Sequence, residues 1–201
     1  MKIEPPSRVL RREFYLRDAK SVAIDLLGKL LVRKLNGKIL SGIITETEAY
    51  FGAEDPASRA YGGKIKPINK WMWGEGGTIF IYMVHANWLF NVITDRKAEP
   101  SGVLIRGIKP LSGVEEMMTN RGKTDLKNLT NGPGKLSKAL LIDKSMNGLK
   151  IYDESSPIAI ESPVPPLNFD VATSNRIGVS RDLDEELRFY IDRLGAEGKR
   201  R

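Results

Sequence analysis

The chain contains no cysteine and a single histidine, His85, in 201 residues. Disulfides and thiol nucleophiles are thereby excluded, and a zinc centre, which draws on Cys and His ligands, has nothing to be built from. No Asp or Glu spacing suits a hard cation either, so neither metal nor cofactor is expected. No apolar run approaches the roughly 20 residues that cross a bilayer. Residues 1–12 lack the apolar stretch of a signal peptide, so the expected setting is intracellular, cytoplasmic or nucleoid-associated. Internal repeats and low-complexity tracts are also missing. What remains is 41% hydrophobic and 28% charged residues, a composition that supports a real core. The length suits one domain over residues 1–201, with loose ends at 1–15 and 196–201. The net charge of +7 and a pI near 9.5 favour a polyphosphate partner. Charge alone leaves an acidic membrane surface or an acidic protein equally open.

Periodicity and turn residues order the chain. Pro5 and Pro6 argue against an early helix. Residues 21–27 have helical spacing that stops near Gly28. Residues 30–34 and 38–50 look like strands joined at Asn36-Gly37, a dipeptide suited to a type I′ turn. Gly, Pro, Lys and Asp dominate residues 51–77, which predicts a long ordered loop of the kind that carries function. Residues 78–85 and 90–94 look like strands with an aromatic, polar tip between them, and 102–108 like another. Helices are expected at 114–120 and 135–142. The four prolines in 155–166 predict an extended edge strand or loop, and 188–191 a last short strand. Strands and helices mix without βαβ alternation, so the fold class is α+β in a single mixed domain.

Five segments could carry chemistry. Alternation along Thr45-Glu46-Thr47-Glu48-Ala49-Tyr50 sets Glu46, Glu48 and Tyr50 on one strand face. That face is either simply solvated or the wall of a pocket in which one carboxylate acts as a general base. Gly62-Gly63 followed by Lys64 and Lys66 suits a backbone near phosphates, or a plain surface turn. The aromatic run 80–91, with Tyr82 and His85, fits core packing or a wedge that fills a vacated base stack. Arg106, set in an apolar strand, needs a carboxylate or ligand beside it. Asn131-Gly132-Pro133-Gly134-Lys135 opens a helix with free N–H groups but lacks Walker spacing.

Taken together, these segments resemble the alkyladenine (3-methyladenine) DNA glycosylase family. The match runs in order through Leu26-Leu27-Gly28-Lys29, Glu46-Thr47-Glu48-Ala49-Tyr50, Glu54-Asp55-Pro56-Ala57-Ser58 and Gly62-Gly63. It continues through Tyr82 with Asn91, Val103-Leu104-Ile105-Arg106, Gly132-Pro133-Gly134-Lys135-Leu136, Arg176-Ile177-Gly178-Val179 and Arg188-Phe189-Tyr190. The resemblance implies a curved antiparallel sheet with flanking helices and a protruding β-hairpin. It implies a monofunctional hydrolase that flips a damaged purine (3-methyladenine, ethenoadenine or hypoxanthine class) from double-stranded DNA and cuts its N-glycosidic bond, acting as a monomer without cofactor. Glu48 then takes the place of the general base, Arg106 helps hold the attacking water, and the main-chain carbonyl of Ile177 is its third anchor. Tyr50 and Tyr82 sandwich the base, Asn91 rejects the exocyclic amine of guanine, and Leu104 completes the pocket. Lys64, Lys66, Met72, Gly132, Gly134 and Lys135 join His85 in the set that wedges or grips DNA.

Two positions depart from the family pattern. Arg59 stands where a histidine usually packs on the base, and its fixed charge opposes a cationic base, which predicts a shift toward neutral lesions. His85 stands near the tyrosine that enters the duplex, on a hairpin tip one residue shorter. Other readings rank lower: a silent binder of damaged DNA, which would have no use for Glu48; a glycosylase-lyase, for which no lysine matches the pocket; and a formyltransferase-like RNA-binding module, suggested by fold analogy alone.

Overall fold

The computed structural model describes residues 7–96 and 98–194; the expected loose end at 196–201 lies outside them. Asn36 and Gly37 take φ of 50° and 76°, both positive as a type I′ turn demands, and join β2 (Leu30–Leu35) to β3 (Lys38–Tyr50). Ahead of them lie β1 (Ser7–Val9), α1 (Arg12–Tyr15) and α2 (Ala19–Leu26). The Asp18 side chain caps α2 by accepting from the Ser21 N–H at 2.9 Å, and the helix buries Ala19, Val22, Ala23 and Leu26, one stripe at helical spacing.

After the long loop come β4 (Ile79–Val84), β5 (Asn87–Thr94), β6 (Ser101–Ser112), α3 (Val114–Arg121) and α4 (Pro133–Ala139). The chain finishes with β7 (Ile158–Pro163), β8 (Phe169–Ser174) and β9 (Arg188–Leu194). The strands form one antiparallel sheet in the order β1-β7-β2-β3-β6-β5-β4; β9 pairs with β3 and carries β8 outside it. The fold is α+β, as the element pattern predicts. Among the described residues no helix is long and apolar enough to cross a membrane.

Three expectations need correction. Residues 7–15 are not loose: β1 pairs with β7, and Tyr15 is fully buried in the core. The 155–166 segment is not an edge, because β7 pairs with β2 on one side and β1 on the other. Its prolines allow this, since Pro157 precedes the strand and Pro163 ends it, leaving the N–H groups between them free to pair. The hairpin tip is also shorter than expected. Only His85 and Ala86 lie between β4 and β5, with φ of 46° and 60°, while Trp88 and Leu89 belong to the strand.

Positive φ costs a non-glycine residue about 1–2 kcal/mol. Ala86→Gly is therefore expected to stabilise the protein by about 1 kcal/mol, a rise in Tm of about 2–4 °C at this chain length, measured by thermal unfolding. An unchanged or lower Tm would refute a strained tip.

Period-two alternation assigns the two faces of the sheet to different tasks. Ile44 of β3, Ile79 and Ile81 of β4, Phe90 and Val92 of β5, and Val103 and Ile105 of β6 all enter the main core. There α2 packs on β3 and β6, and α4 packs on β5 and β6. Their alternates face the other way. Phe80 and Ile93 join Ala60 and Met72 in a smaller core that fastens the 51–77 loop to the hairpin. The loop itself is ordered by Asn69, 2% exposed, whose Nδ2 donates to the carbonyls of Arg59 and Lys64 at 2.8 and 3.1 Å while its Oδ1 accepts from Lys66 N–H at 2.6 Å.

Candidate active site

Strand register turns scattered alternation into a row. Phe80 stands opposite Asn91, Asn91 opposite Leu104, Leu104 opposite Glu48, and Glu48 opposite Arg188. Directly paired residues project from the same face, so five strands bring their side chains to one line across the sheet. Above it lies a cleft of about 650 Å³ lined by Tyr50, Arg59, Tyr82, Leu104, Arg106 and Ile177 among others, within the size range of a small-molecule site.

Glu48 is completely buried, yet three of its neighbours line that cleft. Its Oε1 accepts from the Ile177 N–H at 2.7 Å and lies 3.2 Å from Arg106 Nη1; its Oε2 accepts from the Tyr50 hydroxyl at 2.8 Å. Burial pushes the Glu48 carboxyl above its ordinary range, outweighing Arg106, the Ile177 N–H and the Tyr50 hydroxyl, which all favour the charged form. Burial also raises the Tyr50 and Tyr82 hydroxyls, so both stay neutral. Burial works against the charge of Arg106, but Glu48 and Glu46 more than offset it. The paired carboxylate that Arg106 required is thus present twice over.

The residue beside Ile177 explains how that backbone is fixed. The Arg176 guanidinium has no exposed surface. It binds both oxygens of Asp55 at 2.6 and 2.8 Å, donates through Nε to Asp182 at 2.9 Å, and donates to the Ala49 carbonyl at 2.9 Å. Asp55 in turn accepts the N–H groups of Phe51 and Ala57. One arginine therefore ties the start of the long loop and the turn before β9 to the end of β3, and its plane covers the Tyr50 ring at 4.5 Å. Sequence reading passed over Arg176 and Asp55 as motif residues, left open which of Glu46 and Glu48 is the base, and missed Asp182 and Asn69. An arginine six residues from one acidic partner and 121 from the other has no signature until the fold closes.

Other candidates fall around the same opening. Exposed Arg59 lays its guanidinium over the Tyr82 ring, 4.7 Å from the centroid, and Tyr82 stacks on Phe80 at 5.2 Å. Asn91, 6% exposed, donates to the carbonyls of Phe80 and Leu89 and faces a narrow inner crevice shared with Tyr50, Arg59 and Tyr82. His85, Gly132, Gly134 and Lys135 line the outer rim. Gly134 is there for space, since a Cβ at this position would sit 2.7 Å from the Asn87 side chain, and without one α4 docks against the hairpin. Lys135 Nζ is held by Asn128 and Asn131 at 3.2 and 2.9 Å. Lys64 and Lys66 are exposed on the long loop and do not line the cleft. Met72, 4% exposed, packs with Ala60, Phe80 and Ile93 in the smaller core and lines the inner crevice from beneath. Among the described residues no three His, Cys, Asp or Glu side chains gather as a metal site would require.

Comparison with known proteins places the chain in a family. The profile of the methylpurine-DNA glycosylase family matches residues 13–194. Relatives provisionally named 3-methyladenine DNA glycosylase occur in Clostridium perfringens strain 13 (41% identity, covering 92% of this chain and 94% of the relative) and in Desulfitobacterium hafniense strain Y51 (41%, covering 91% and 95%). Another, in Aeropyrum pernix, is 39% identical over 92% of this chain and 90% of its own length. The chain belongs to the methylpurine-DNA glycosylase family, and is thereby a DNA repair hydrolase acting on N-glycosyl bonds.

Proposed function

We propose that the cleft receives a damaged purine flipped out of double-stranded DNA and that Glu48 activates a water to hydrolyse the bond between base and sugar. The observation that carries this reading is the state of the Glu48 carboxylate. A carboxylate offers about four acceptor positions. Two are taken by the Ile177 N–H and the Tyr50 hydroxyl and Arg106 faces Oε1 as an ion pair, which leaves a position on Oε2 for the proton of a water. Burial makes this carboxylate a stronger base than an exposed one, and as bond breaking puts positive charge on the sugar its negative charge lowers the barrier. The neighbouring Ile177 carbonyl and Arg106 complete the hold on the water.

Flipping costs a few kcal/mol. Repayment comes from the faces of Tyr50 and Tyr82, with Leu104 on the cleft floor and Asn91 barring the amine of guanine. His85 at the hairpin tip fills the vacated stack. Lys135 with Gly132 and Gly134, and Lys64 and Lys66 from the loop, contact phosphates of the duplex. A single lesion breaks the duplex symmetry, which suits a monomer.

Arg59 narrows the lesion class. Its guanidinium already sits on Tyr82, and no acidic side chain among the described residues pairs with it. A ring-methylated cationic purine would enter against that charge, whereas hypoxanthine and ethenoadenine would not. Single-turnover base release from duplexes carrying one lesion each tests both parts. Release of free base without borohydride-trapped protein supports the monofunctional hydrolase; a trapped covalent complex would overturn it and direct attention to Lys135. Arg59→His is expected to speed excision of cationic methylpurines by about tenfold relative to neutral ones, a difference of about 1.4 kcal/mol. Equal rates on both classes in the unmodified protein would dismiss the charge argument.

A further inference from the structure

Four charged side chains form a chain behind the cleft wall. Glu46 Oε1 accepts from Arg106 Nε at 2.7 Å and from Arg188 Nε at 2.7 Å, and Arg106 reaches Glu48 with Nη1 at the longer distance of 3.2 Å. Glu46 occupies the position on β3 where all three strands meet, paired with Gly107 of β6 and Tyr190 of β9. The order is Arg188, Glu46, Arg106, Glu48, with signs alternating and net charge zero.

An arginine and a carboxylate left to themselves prefer the two-pronged arrangement, with two parallel N–H bonds. Arg106 does not adopt it with Glu48: Glu46 holds Nε, which fixes the plane of the guanidinium and leaves Nη1 at 3.2 Å from the Glu48 carboxylate. We propose that Glu46 is a positioning residue that restrains Arg106, so that the base carboxylate is oriented but not fully neutralised and keeps an oxygen for water. Arg188 tempers this restraint by sharing the same oxygen. It is itself fixed by Ser174 Oγ at 2.9 Å and lies over the Tyr190 ring at 4.5 Å. The inference rests on Glu48 being the base, and it concerns what sets its strength.

The charged and titratable groups around this chain are few. Tyr50 lies on β3 beside Glu48, Tyr82 faces it from β4, Arg59 approaches from the loop, and Arg176 covers Tyr50 from behind. Burial opposes the charge of Glu46, but its bonds to Arg188 and Arg106 hold its carboxyl below the ordinary range. It is therefore an anion throughout the pH range in which Glu48 titrates, acting on Glu48 as a constant charge.

Two substitutions should move the base in opposite directions. In Glu46→Gln, Arg106 turns to Glu48 and clasps it. The single-turnover rate is expected to fall about 10- to 100-fold, as small misplacements in active sites cause, and the acid limb of its pH profile to move down by about half a unit or more. In Arg188→Met, Glu46 has Arg106 to itself, Glu48 is less neutralised, and the acid limb should move up. Duplex affinity should change little in either, and Glu46→Asp should recover part of the rate. A simple packing defect would lower stability in both without opposed displacements.

Wild type and Glu48→Gln, run on the same lesion duplex, separate the two claims. Full activity in Glu48→Gln would remove the base assignment itself. If Glu48→Gln is inactive but both acid limbs stay at the wild-type position, or move together, the positioning role is wrong. Should Glu46→Gln fail to fold, the upward movement in Arg188→Met decides alone.

Discussion

Glu48→Gln is expected to lower single-turnover base release by about 10²–10⁴-fold, the usual contribution of a general base, while duplex binding persists. Glutamine is nearly isosteric and can still accept from the Ile177 N–H, so the defect should be chemical. Rate followed against pH gives a second signature. The wild-type rate must climb as Glu48 loses its proton, and because burial lifts that carboxyl, the climb falls above the ordinary glutamate value of about 4.3. The residual activity of the glutamine variant should lack this limb. Stability carries the opposite sign. A carboxyl whose pKa is raised on folding contributes most below its unfolded value, and the contribution disappears as pH rises through the folded one. At neutral pH the ionised Glu48 is therefore a cost to the fold, and Glu48→Gln should melt no lower than wild type. A variant that melts far below wild type, or one that releases base at an undiminished rate, would remove Glu48 from the centre of the mechanism.

Arg176→Met should have the largest effect on the fold. Removing one partner of a buried pair strands the other charge, at a cost of about 3–5 kcal/mol. Here the stranded group is Asp55, whose side chain has no exposed surface. For a chain of this length the loss corresponds to a fall in Tm of roughly 6–20 °C. Burial opposes ionisation of Asp55, yet the Arg176 bonds and the N–H groups of Phe51 and Ala57 hold its carboxyl below the ordinary range. Its contribution is therefore complete above the unfolded value and disappears as pH falls through the folded one. The acid-induced drop in stability should be shallower in Arg176→Met than in wild type. Combining it with Asp55→Asn should cost less than the sum of the two singles, because the stranded charge is then gone. A Tm within about 2 °C of wild type, where roughly 1 kcal/mol is the limit of notice, would show that solvent reaches this cluster and that it does not clamp the loop.

Activity should follow the same clamp. Ile177 presents its N–H to Glu48 only while Arg176 holds the turn, so mild destabilisation elsewhere, by a surface loop change for instance, should leave base release unaffected where Arg176→Met does not.

Much of this was legible in the residues alone. The Asn36-Gly37 turn, the alternation in β3 and the pairing demanded by an arginine in apolar surroundings are local facts, and local sterics and desolvation enforce them wherever the chain goes. The polar strand β8 was not legible: its Asp, Thr and Ser side chains are largely exposed, so no hydrophobic period marks it. β7 was misplaced at an edge because prolines forbid ladder bonds only at their own positions, and the sequence does not show which positions fall inside a strand. The packing of Met72 was hidden for a related reason, since a methionine in a polar loop carries no mark of the small core that encloses it.

Sequence by itself determined the chemistry available: no thiol, one imidazole, alternating carboxylates, a buried guanidinium, and motifs in an order that belongs to one family. Tertiary structure decided which of these groups meet. The row from Phe80 to Arg188 exists because four strand registers agree, and a slip of one residue in any strand would send its members to the opposite face. Glu46 and Glu48 are near-identical neighbours in the chain. Only the fold gives one two arginines and the other a hydroxyl, a backbone N–H and a shared guanidinium, because contact distance and burial, not residue type, set the strength of an acid.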